Sequence, residues 1–437
     1  MQFVSTRNPD KKVSFSKAVL DCIPSDGGLY APAYEENLSS WILYMNENTS
    51  FTSIAGSLTS ALIKEEFSPI ISEAIATSAF TFEPVLNQLD DRLYHLELYN
   101  GPTGSHKDFG ISYLASCLEH ICIMKETEAI VITDTTGETG ASIAHAFKNK
   151  KHLKAVLLYP KGSMRGLFPE SFIWNGGNIY PVEVNGTADD CIELVRQIYN
   201  DRSLVEKYGL TLANTSNIGR LLPQTFFYTF AFTRLKNRVC SDIFYALSSS
   251  NYGNLIAGLY SWKFSLPVNG FITDCTAALR IDPANMCELT DANIPLSKRG
   301  PANPAVPSNL ERLEALFETS PAVMKGLVFP AEVSKEDRKA AARRLFVDYN
   351  IMVSPQTADA YAAAFKRTEM IEEDGGVVVL ISRDHPAFST DSIRQMCGEE
   401  PAMPEHIAAV LKKINAEKTI EPQKDAVVSI LKEIKPE

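Results

Sequence analysis

The sequence predicts an α/β protein built on open, twisted, mostly parallel sheets flanked by helices. Four short apolar runs bounded by polar residues, glycine or proline have the composition of buried parallel strands: 129–133, 155–159, 243–247 and 377–381. Helical patterns lie between them, at 141–149, 188–200 and 253–264. Strands that alternate with helices imply right-handed crossover connections. A chain of 437 residues exceeds one hydrophobic core, so we expect two or three subdomains.

Residues 1–83 lack this alternation and predict a mainly helical N-terminal domain. They contain a turn at residues 26–28, followed by mixed helical patterning without a strand-rich stretch. Among the later helices, 188–200 has the clearest start signal. Thr187 is a suitable N-cap, and Asp189 and Asp190 place acidic groups in the first turn.

Two later regions depart from the alternating pattern. Residues 281–309 are rich in Asp, Asn, Pro and Ser, which indicates a long surface loop. Residues 401–437 predict one or two amphipathic helices that dock on the surface.

Composition and charge exclude several classes of function. The 42 Lys and Arg residues against 53 Asp and Glu give a net charge of −11, which argues against nucleic acid or an acidic membrane as the main partner. Eight scattered cysteines without a Cys-x-x-Cys pair favour buried reduced thiols over zinc or disulfides. The first residues have no basic segment before an apolar core, and no apolar run approaches membrane-spanning length. We therefore expect a cytoplasmic protein.

Lys107 is the first candidate for chemistry. It lies in a glycine-rich turn, residues 101–110, after a predicted strand at 95–99. A helix follows, because apolar residues recur at helical spacing from Ile111 to Ile121. Ligands bind at the carboxyl ends of strands in open α/β sheets, so this lysine is well placed to meet one.

Four other segments follow predicted strands or helix signals. Residues 135–140 form a hydroxyl-rich glycine loop suited to a carboxylate or phosphate, although an ordinary βα turn is equally consistent. Residues 214–220 combine amides, hydroxyls and Arg220, for which a surface arginine is the simpler interpretation when it is taken alone. Residues 248–254 open a helix with small residues and favour a phosphate cradle. His385 follows the strand at 377–381 and favours a structural role.

Together, the motifs that are present and absent narrow the type of catalysis that the sequence predicts. The sequence has no Gly-x-x-x-x-Gly-Lys-Ser/Thr loop, no Gly-x-Ser-x-Gly elbow and no His-Glu-x-x-His pair. One lysine with two anion-binding loops is typical of pyridoxal phosphate enzymes, in which a lysine bonds to the cofactor and a loop holds its phosphate.

The order of these motifs resembles the threonine synthase family, in its longer bacterial and fungal form. Residues 97–103 followed by Lys107-Asp-Phe-Gly110 are similar to the family's cofactor-lysine motif. Residues 136–140 resemble its Ser-Gly-Asp-Thr-Gly loop, and residues 214–224 resemble its Asn-Ser-Ile-Asn…Arg-Leu-Leu segment. The likeness runs from the turn at 26–30 nearly to His385. It implies a fold-type-II pyridoxal phosphate enzyme, similar to the tryptophan synthase β subunit.

The resemblance assigns roles to individual residues. Lys107 would bind pyridoxal 5'-phosphate and shuttle protons between adjacent carbons of the substrate. The other cofactor contacts would be Ser249, Ser250, Asn251, Tyr252, Gly253, Asn254 and Arg383. The substrate's carboxylate end would meet Thr136, Gly137, Glu138, Thr139 and Gly140. Its phosphate end would meet Asn214, Ser216, Asn217 and Arg220. No metal is implied.

Several residues depart from the family pattern. His106 stands where the family usually has Phe, although the tryptophan synthase β subunit has a similar His-Lys pair. Ser250 replaces a glycine, so the loop is strained or reshaped if that position needs a positive φ. Arg383 replaces a threonine whose hydroxyl faces the cofactor ring nitrogen. A cation there weakens the ring as an electron sink, unless Arg383 points outward and pairs with Asp384.

A further departure concerns substrate recognition. The segment after Tyr159 has Ser163, Met164 and Arg165 in place of the family's usual residues. This change is expected to alter how the substrate is recognised.

The implied reaction converts O-phospho-L-homoserine and water to L-threonine and phosphate, in threonine biosynthesis. Two alternatives remain: a related phospholyase that releases a 2-oxo acid, and a non-catalytic ligand-binding paralogue. The expected domains are 1–83, a large cofactor domain at 84–110 with 231–437, and a small substrate domain at 111–230. The family includes monomers and dimers, so the sequence leaves either assembly open.

Overall fold

The computed structural model describes residues 1–239, 241–290, 295–373 and 375–435. Its strands are β1 (Phe3–Ser5), β2 (Asn8–Val13), β3 (Tyr30–Pro32), β4 (Val85–Gln88), β5 (Leu93–Glu97), β6 (Ala129–Asp134), β7 (Leu153–Pro160), β8 (Ile179–Val184), β9 (Leu210–Thr211), β10 (Ile243–Ala246), β11 (Gly270–Asp274), β12 (Leu279–Ile281), β13 (Cys287–Leu289), β14 (Val328–Ala331), β15 (Val377–Ser382) and β16 (Thr419–Ile420).

The α-helices connect and cover these strands. They are α1 (Phe15–Asp21), α2 (Ser39–Tyr44), α3 (Phe51–Leu62), α4 (Pro69–Ala79), α5 (Lys107–Lys125), α6 (Glu138–Phe147), α7 (Ala188–Asn200), α8 (Arg202–Tyr208), α9 (Ile218–Leu221), α10 (Thr225–Leu235), α11 (Gly253–Lys263), α12 (Leu310–Phe317), α13 (Pro321–Lys325), α14 (Lys335–Tyr349), α15 (Pro355–Lys366), α16 (Thr368–Glu373), α17 (Thr390–Cys397), α18 (Glu405–Leu411) and α19 (Lys424–Ile434).

The larger sheet has the strand order β14-β11-β10-β15-β5-β4 among the described residues. Its neighbours pair in parallel, except for the antiparallel edge strand β4. All residues of β15 are buried, as its continuous apolar run predicts. β15 pairs directly with β5, so the strand that precedes Lys107 lies beside one from near the end of the chain.

The smaller sheet has the order β16-β8-β7-β6-β9, and its strands are parallel throughout the described part. α7 covers one face, with Cys191, Leu194 and Ile198 packed against β6 to β8. It starts at Thr187 in a capping box with Asp190, which confirms the predicted start. The two mostly parallel sheets with flanking helices confirm the predicted fold class.

The N-terminal region is mainly helical, as predicted, and it also contains a short sheet, β2-β1-β3. β2 has no buried residue, so its sequence shows no strand alternation. α3 and α4 pack against α5 through an aromatic cluster in which Phe51 contacts Phe80 and Phe109 edge to face. The N-terminal region thus supports the helix that begins at Lys107.

The C-terminal segment contacts the smaller sheet. β16, which lies within the 231–437 part of the predicted large domain, pairs with β8, and α19 packs against α7. A two-residue edge strand has too little sequence for a pattern to predict it. Before it, α18 places Ile407 against Gly104, so this segment also contacts the lysine turn.

The predicted loop at 281–309 contains some regular structure. β12 and β13 pair as an antiparallel hairpin, and residues 291–294 lie outside the described ranges. The remainder from 299 to 309 has no helix or strand among its described residues, as predicted.

Side-chain burial explains the behaviour of the cysteines. Those in the described ranges are all free thiols. Burial raises the pKa of Cys22 and Cys191 to about 12, which keeps them protonated and unreactive. The helices of the described ranges include none long and apolar enough to span a bilayer.

Candidate active site

The two sheets meet around a cavity of about 290 Å³ at the carboxyl ends of their strands. Segments that follow five different strands contribute to its wall: Lys107 after β5, Thr139 after β6, Asn214 after β9, Asn254 after β10 and Arg383 after β15. This is the position at which open α/β sheets bind ligands.

The turn before Lys107 is closed by a buried carboxylate. Thr103 donates from its backbone nitrogen and its hydroxyl to Asp108, at 2.8 and 2.6 Å. A Cβ at Gly101 would lie 2.5 Å from Asp108 Oδ2, so this position requires glycine. The closed turn places Lys107 at the first residue of α5, facing the cavity.

The segment after β15 clamps the same turn from the other side. His106 donates its backbone N–H to the Arg383 carbonyl at 2.6 Å, and the Ser105 hydroxyl donates to Asp384. Although burial acts to raise it, the charge of Lys107 and the nearby His106 ring hold the pKa of Asp384 well below its usual range. Burial lowers the pKa of His106 to about 4, so at neutral pH the ring is neutral and Asp384 is ionised.

The loop before α11 presents free backbone amides to the cavity. Ser250 has φ 42° and Tyr252 has φ 62°, both left-handed. Within the described residues, the amides of Ser250, Asn251 and Asn254 have no protein acceptor. Free amides at the start of an eleven-residue helix form a site for an anion such as phosphate.

Two residues of this loop have structural roles instead. The Ser249 backbone and hydroxyl both donate to Asp274, at 2.8 and 3.0 Å, and the Tyr252 hydroxyl bonds to Thr276. Neither Ser249 nor Tyr252 lines the cavity. The prediction that they contact the cofactor is therefore corrected for their side chains, which anchor the loop.

Ser250 keeps a conformation that favours glycine, so Ser250→Gly is expected to stabilise the protein. Glycine adopts a left-handed backbone without the strain that serine has there, whereas its greater freedom in the unfolded chain acts in the opposite direction. The net effect should raise the free energy of unfolding by about 0.5–1 kcal/mol. Denaturant unfolding measures the change. The matched control is Ser248→Gly, where φ is not positive. Equal or greater stabilisation in the control would contradict the strain at Ser250.

The 135–140 loop is organised by Thr135, which sequence reasoning did not single out. Its hydroxyl accepts from the amides of Gly137 and Gly140, at 3.1 and 3.0 Å, so those amides are not free for a ligand. Thr136 is exposed. Glu138 extends its carboxylate to Lys107, with 3.4 Å between Oε2 and Nζ, and to Arg165, with 3.5 Å between Oε1 and Nη2.

Arg220 is a buried cation with spare hydrogen-bonding capacity. Its side chain is 3% exposed, and no partner for Nη1 is found in the part of the chain that the structure describes. Burial lowers its pKa to about 10. A Cβ at Gly110 would lie 2.0 Å from Nη1, so glycine is required for the guanidinium to reach the cavity beside α5.

Asn217 and Ser216 were predicted to meet the substrate phosphate, and neither lines the cavity. The Asn217 amide donates to the Val19 and Leu212 carbonyls, at 2.9 and 3.0 Å, and its oxygen accepts from the Gly219 amide. It caps α9 and has no group left for a substrate. Ser216 is also buried and does not line the cavity.

Arg312 is a second residue that the sequence analysis missed. It is 1% exposed and donates to the Tyr30, Thr215 and Ser216 carbonyls, at 2.9, 2.6 and 2.9 Å. It also donates to the side-chain oxygen of Asn309, whose backbone N–H donates to the Asn251 carbonyl at 2.9 Å. Arg312 and Asn309 therefore hold the 214–217 loop against the loop before α11.

Arg383 lines the cavity, and its positive charge helps to lower the pKa of the neighbouring Asp384. Whether it faces the cofactor ring or pairs with Asp384 stays a prediction. His385, in contrast, has the structural role predicted for it. Its Nδ1 accepts from the Ala387 amide at 3.2 Å, and its ring meets Tyr99 edge to face.

The cavity thus brings together about half of the predicted site. The predicted residues that line it are Lys107, Thr139, Asn214, Arg220, Ser250, Asn251, Gly253, Asn254 and Arg383. Thr136, Gly137 and Gly140 do not line it, and Glu138 reaches it through Lys107. Asp134 and Asp384 line it without having been predicted, although each directly follows or ends a strand and could have been found by that rule.

The residues present fit pyridoxal phosphate. An amine, a cradle of free amides and the guanidinium groups of Arg220 and Arg383 share one cavity, which leaves positive charge for a phosphorylated ligand to neutralise. Lys107 would bond to the cofactor, and the amides of Ser250, Asn251 and Asn254 would hold its phosphate.

Comparisons with known proteins agree on one family. Residues 76–383 match the family of pyridoxal-phosphate dependent enzymes, and residues 2–80 match the threonine synthase N terminus. Threonine synthase of Escherichia coli K12 is 30% identical over 413 residues, covering 93% of this chain and 94% of the relative. That of Haemophilus influenzae is 29% identical over 420 residues, covering 93% of each chain.

Solved structures match over the whole chain. The crystal structure of E. coli threonine synthase has a TM-score of 0.78 at 27% identity, covering 99% of this chain and 100% of that one. Pyridoxal-phosphate-bound threonine synthase from Brucella melitensis has a TM-score of 0.82 at 20% identity, covering 100% of both chains. This second match concerns the fold.

Proposed function

The chain belongs to the threonine synthase family of pyridoxal-phosphate dependent enzymes, and from this premise we propose how its cavity works. The protein is a lyase that converts O-phospho-L-homoserine and water to L-threonine and phosphate. Its cofactor is pyridoxal 5'-phosphate.

One observation supports this assignment of roles above all: Lys107 shares its cavity with two separate anion-binding groups. The free amides before α11 suit the cofactor phosphate. Arg220, with an unpaired Nη1, suits the phosphate of the substrate. A phosphorylated cofactor acting on a phosphorylated substrate needs both.

The chain's own residues then move protons and hold charge. When bound, the cofactor supplies an electron sink that acidifies carbon–hydrogen bonds of the substrate. The Lys107 amine takes and returns protons at adjacent substrate carbons, because it lies at the cavity wall on a rigid helix start. Arg220 holds the phosphate that leaves, and the ionised Asp384 keeps the lysine turn in place through Ser105.

We also propose a cytoplasmic enzyme that works as a monomer or homodimer, without nucleic acid or a membrane as partner. The net charge of −11 supports this. The assembly can be measured by light scattering of the purified protein.

The assignment is tested by identifying the products. Cofactor-loaded protein supplied with O-phospho-L-homoserine should release phosphate and threonine in equal amounts. A 2-oxo acid and ammonia in place of threonine would establish the phospholyase. Arg383 makes the non-catalytic paralogue worth testing, because a cation in the cavity disfavours a protonated cofactor ring. A cofactor-loaded protein that releases no phosphate would refute both enzymes and favour the paralogue.

A further inference from the structure

We propose that a second cavity, separate from the one that holds Lys107, binds a nucleoside triphosphate. The inference goes beyond the proposed function and does not depend on it. The cavity has a volume of about 780 Å³, and it is lined by the end of α6, the turn that leads to β7, and residues between β7 and β8. It shares no lining residue with the cavity around Lys107. Pockets of about 300–1,000 Å³ hold ligands of this size.

The charge of this cavity is opposite to that of the chain, which has a net charge of −11. Glu170 is the one acid among its described lining residues. The lysines that line it are Lys148, Lys150, Lys151 and Lys154. Three of them come from one tight turn, in which Asn149 has φ 65°. Like charges held close together repel each other, and a bound polyanion removes this repulsion.

The lysine turn is held in a fixed shape by Asn178. The side-chain amide of Asn178 donates to the carbonyls of Phe147, Lys150 and Leu153, at 2.8, 3.0 and 2.9 Å. The Lys150 amide also donates to the Phe147 carbonyl at 2.9 Å, which closes the turn. A fixed backbone limits the entropy that is lost when the lysines bind a ligand.

Most of the positive charge has no acidic partner in the part of the chain that the structure describes. Lys148 and Lys151 are exposed, and their ammonium groups form no ion pair with a described residue. The half-buried Lys150 donates to the hydroxyls of Ser78 and Ser116, at 2.8 and 3.4 Å. Burial lowers the pKa of Lys150, so these hydroxyls do not fully replace the water that the ammonium group has lost.

The acids near this turn are used by other groups. Glu119, whose charge acts on Lys150, accepts from the backbone amides of Lys151 and His152, at 2.9 and 3.0 Å. Its carboxylate also lies 3.3 Å from the His152 ring. Glu128 pairs with Lys154 at 2.9 Å. The three lysines of the turn therefore remain available for the phosphate groups of a ligand.

An exposed aromatic ring lines the same cavity. Phe168 is 40% exposed, and its ring packs edge to face against His145, with 5.9 Å between the ring centroids. A ring that is already packed on one side stacks on a nucleobase with little loss of conformational entropy. The lysines thus suit the phosphates of a nucleotide and Phe168 suits its base, whereas inorganic phosphate would use neither the ring nor most of the volume.

Calorimetry on cofactor-loaded protein tests the proposal with ATP and with inorganic tripolyphosphate. The double variant Lys148→Gln, Lys151→Gln should weaken the binding of both ligands at least about 10-fold. Phe168→Ala should weaken ATP about 5-fold or more and leave tripolyphosphate within about 2-fold, because only ATP has a base to stack. The matched control is Lys335→Gln, Lys339→Gln, which removes the same charge from exposed positions of α14 and should change neither affinity.

Arg220→Met distinguishes this cavity from the one around Lys107, and it should leave the affinity for ATP within about 2-fold of wild type. Loss of ATP binding in this variant would place the ligand beside Lys107 and overturn the proposal. Absence of saturable ATP binding, or full affinity in the Lys148 and Lys151 double variant, would also overturn it. Full ATP affinity in Phe168→Ala would overturn the assignment of a nucleotide. Wild type that binds ATP but releases no phosphate from O-phospho-L-homoserine would refute the proposed function and support this inference.

Discussion

Lys107→Ala is expected to reduce threonine formation by at least about 10³-fold, the largest effect of any single change in the cavity. No second amine lines the cavity in the described part of the chain. The titratable groups that share it are the acids Asp134 and Asp384, a neutral His106, and arginines that do not give up protons. Neither covalent attachment of the cofactor nor proton transfer between substrate carbons can continue.

Two measurements check this expectation. Phosphate release measures activity, and the visible absorbance that remains with the protein after gel filtration measures attached cofactor. Lys125→Ala is the matched control, because Lys125 ends the same helix and is exposed. Full activity in the Lys107 variant would contradict the assignment, and so would an equal loss in the control.

Arg220→Met is expected to act in opposite directions on activity and on stability. Loss of the guanidinium should lower kcat/KM about 10²-fold or more, because a charged hydrogen bond to phosphate is lost. The ligand-free protein should become more stable by about 1–3 kcal/mol, because a buried cation whose Nη1 has no partner among the described residues is replaced by an apolar side chain.

The pH dependence of stability follows from the direction in which the pKa of Arg220 is shifted. Burial lowers the pKa of Arg220 to about 10, so the folded protein holds this proton less tightly than the unfolded chain. The destabilisation caused by burying the charged Arg220 side chain is fully present below pH 10 and therefore at neutral pH. Thermal unfolding of the ligand-free proteins measures the change in stability. In cofactor-loaded protein, where the amides before α11 hold the cofactor phosphate, added inorganic phosphate should stabilise wild type and leave Arg220→Met unchanged. A less stable ligand-free variant would contradict the argument.

Local signals predicted the regular elements of the two sheets well. Helix α7 begins and ends at the predicted residues because an N-cap, two acids and an apolar stripe all lie within one short segment. Strands β6, β7, β10 and β15 were predicted because strands buried on both faces are continuously apolar. Lys107 and the loop before α11 were also predicted from local signals, because glycine and other small residues surround them in the sequence.

Other features depend on contacts between distant segments. β2 is exposed and polar, and β16 is two residues long, so neither has a hydrophobic pattern from which a strand can be predicted. Asn217 has a side-chain amide of the kind that binds ligands. Only the fold shows that this amide donates to the Val19 and Leu212 carbonyls instead. Arg312 donates to carbonyls of residues 30, 215 and 216. Spacing along the sequence does not predict that these residues lie close together.

The position of β15 beside β5 also determines when this protein can first acquire its cofactor. During synthesis Lys107 emerges early, but its neighbouring strand and the Arg383–Asp384 segment that clamps its turn emerge only after residue 377. Pairing of such distant strands is slow, because a long loop must close first. A nascent or truncated chain that ends before this strand lacks the strand beside β5 and the 383–384 segment that clamps the lysine turn. We therefore expect cofactor capture only after the chain has been translated past this strand and β15 has paired with β5.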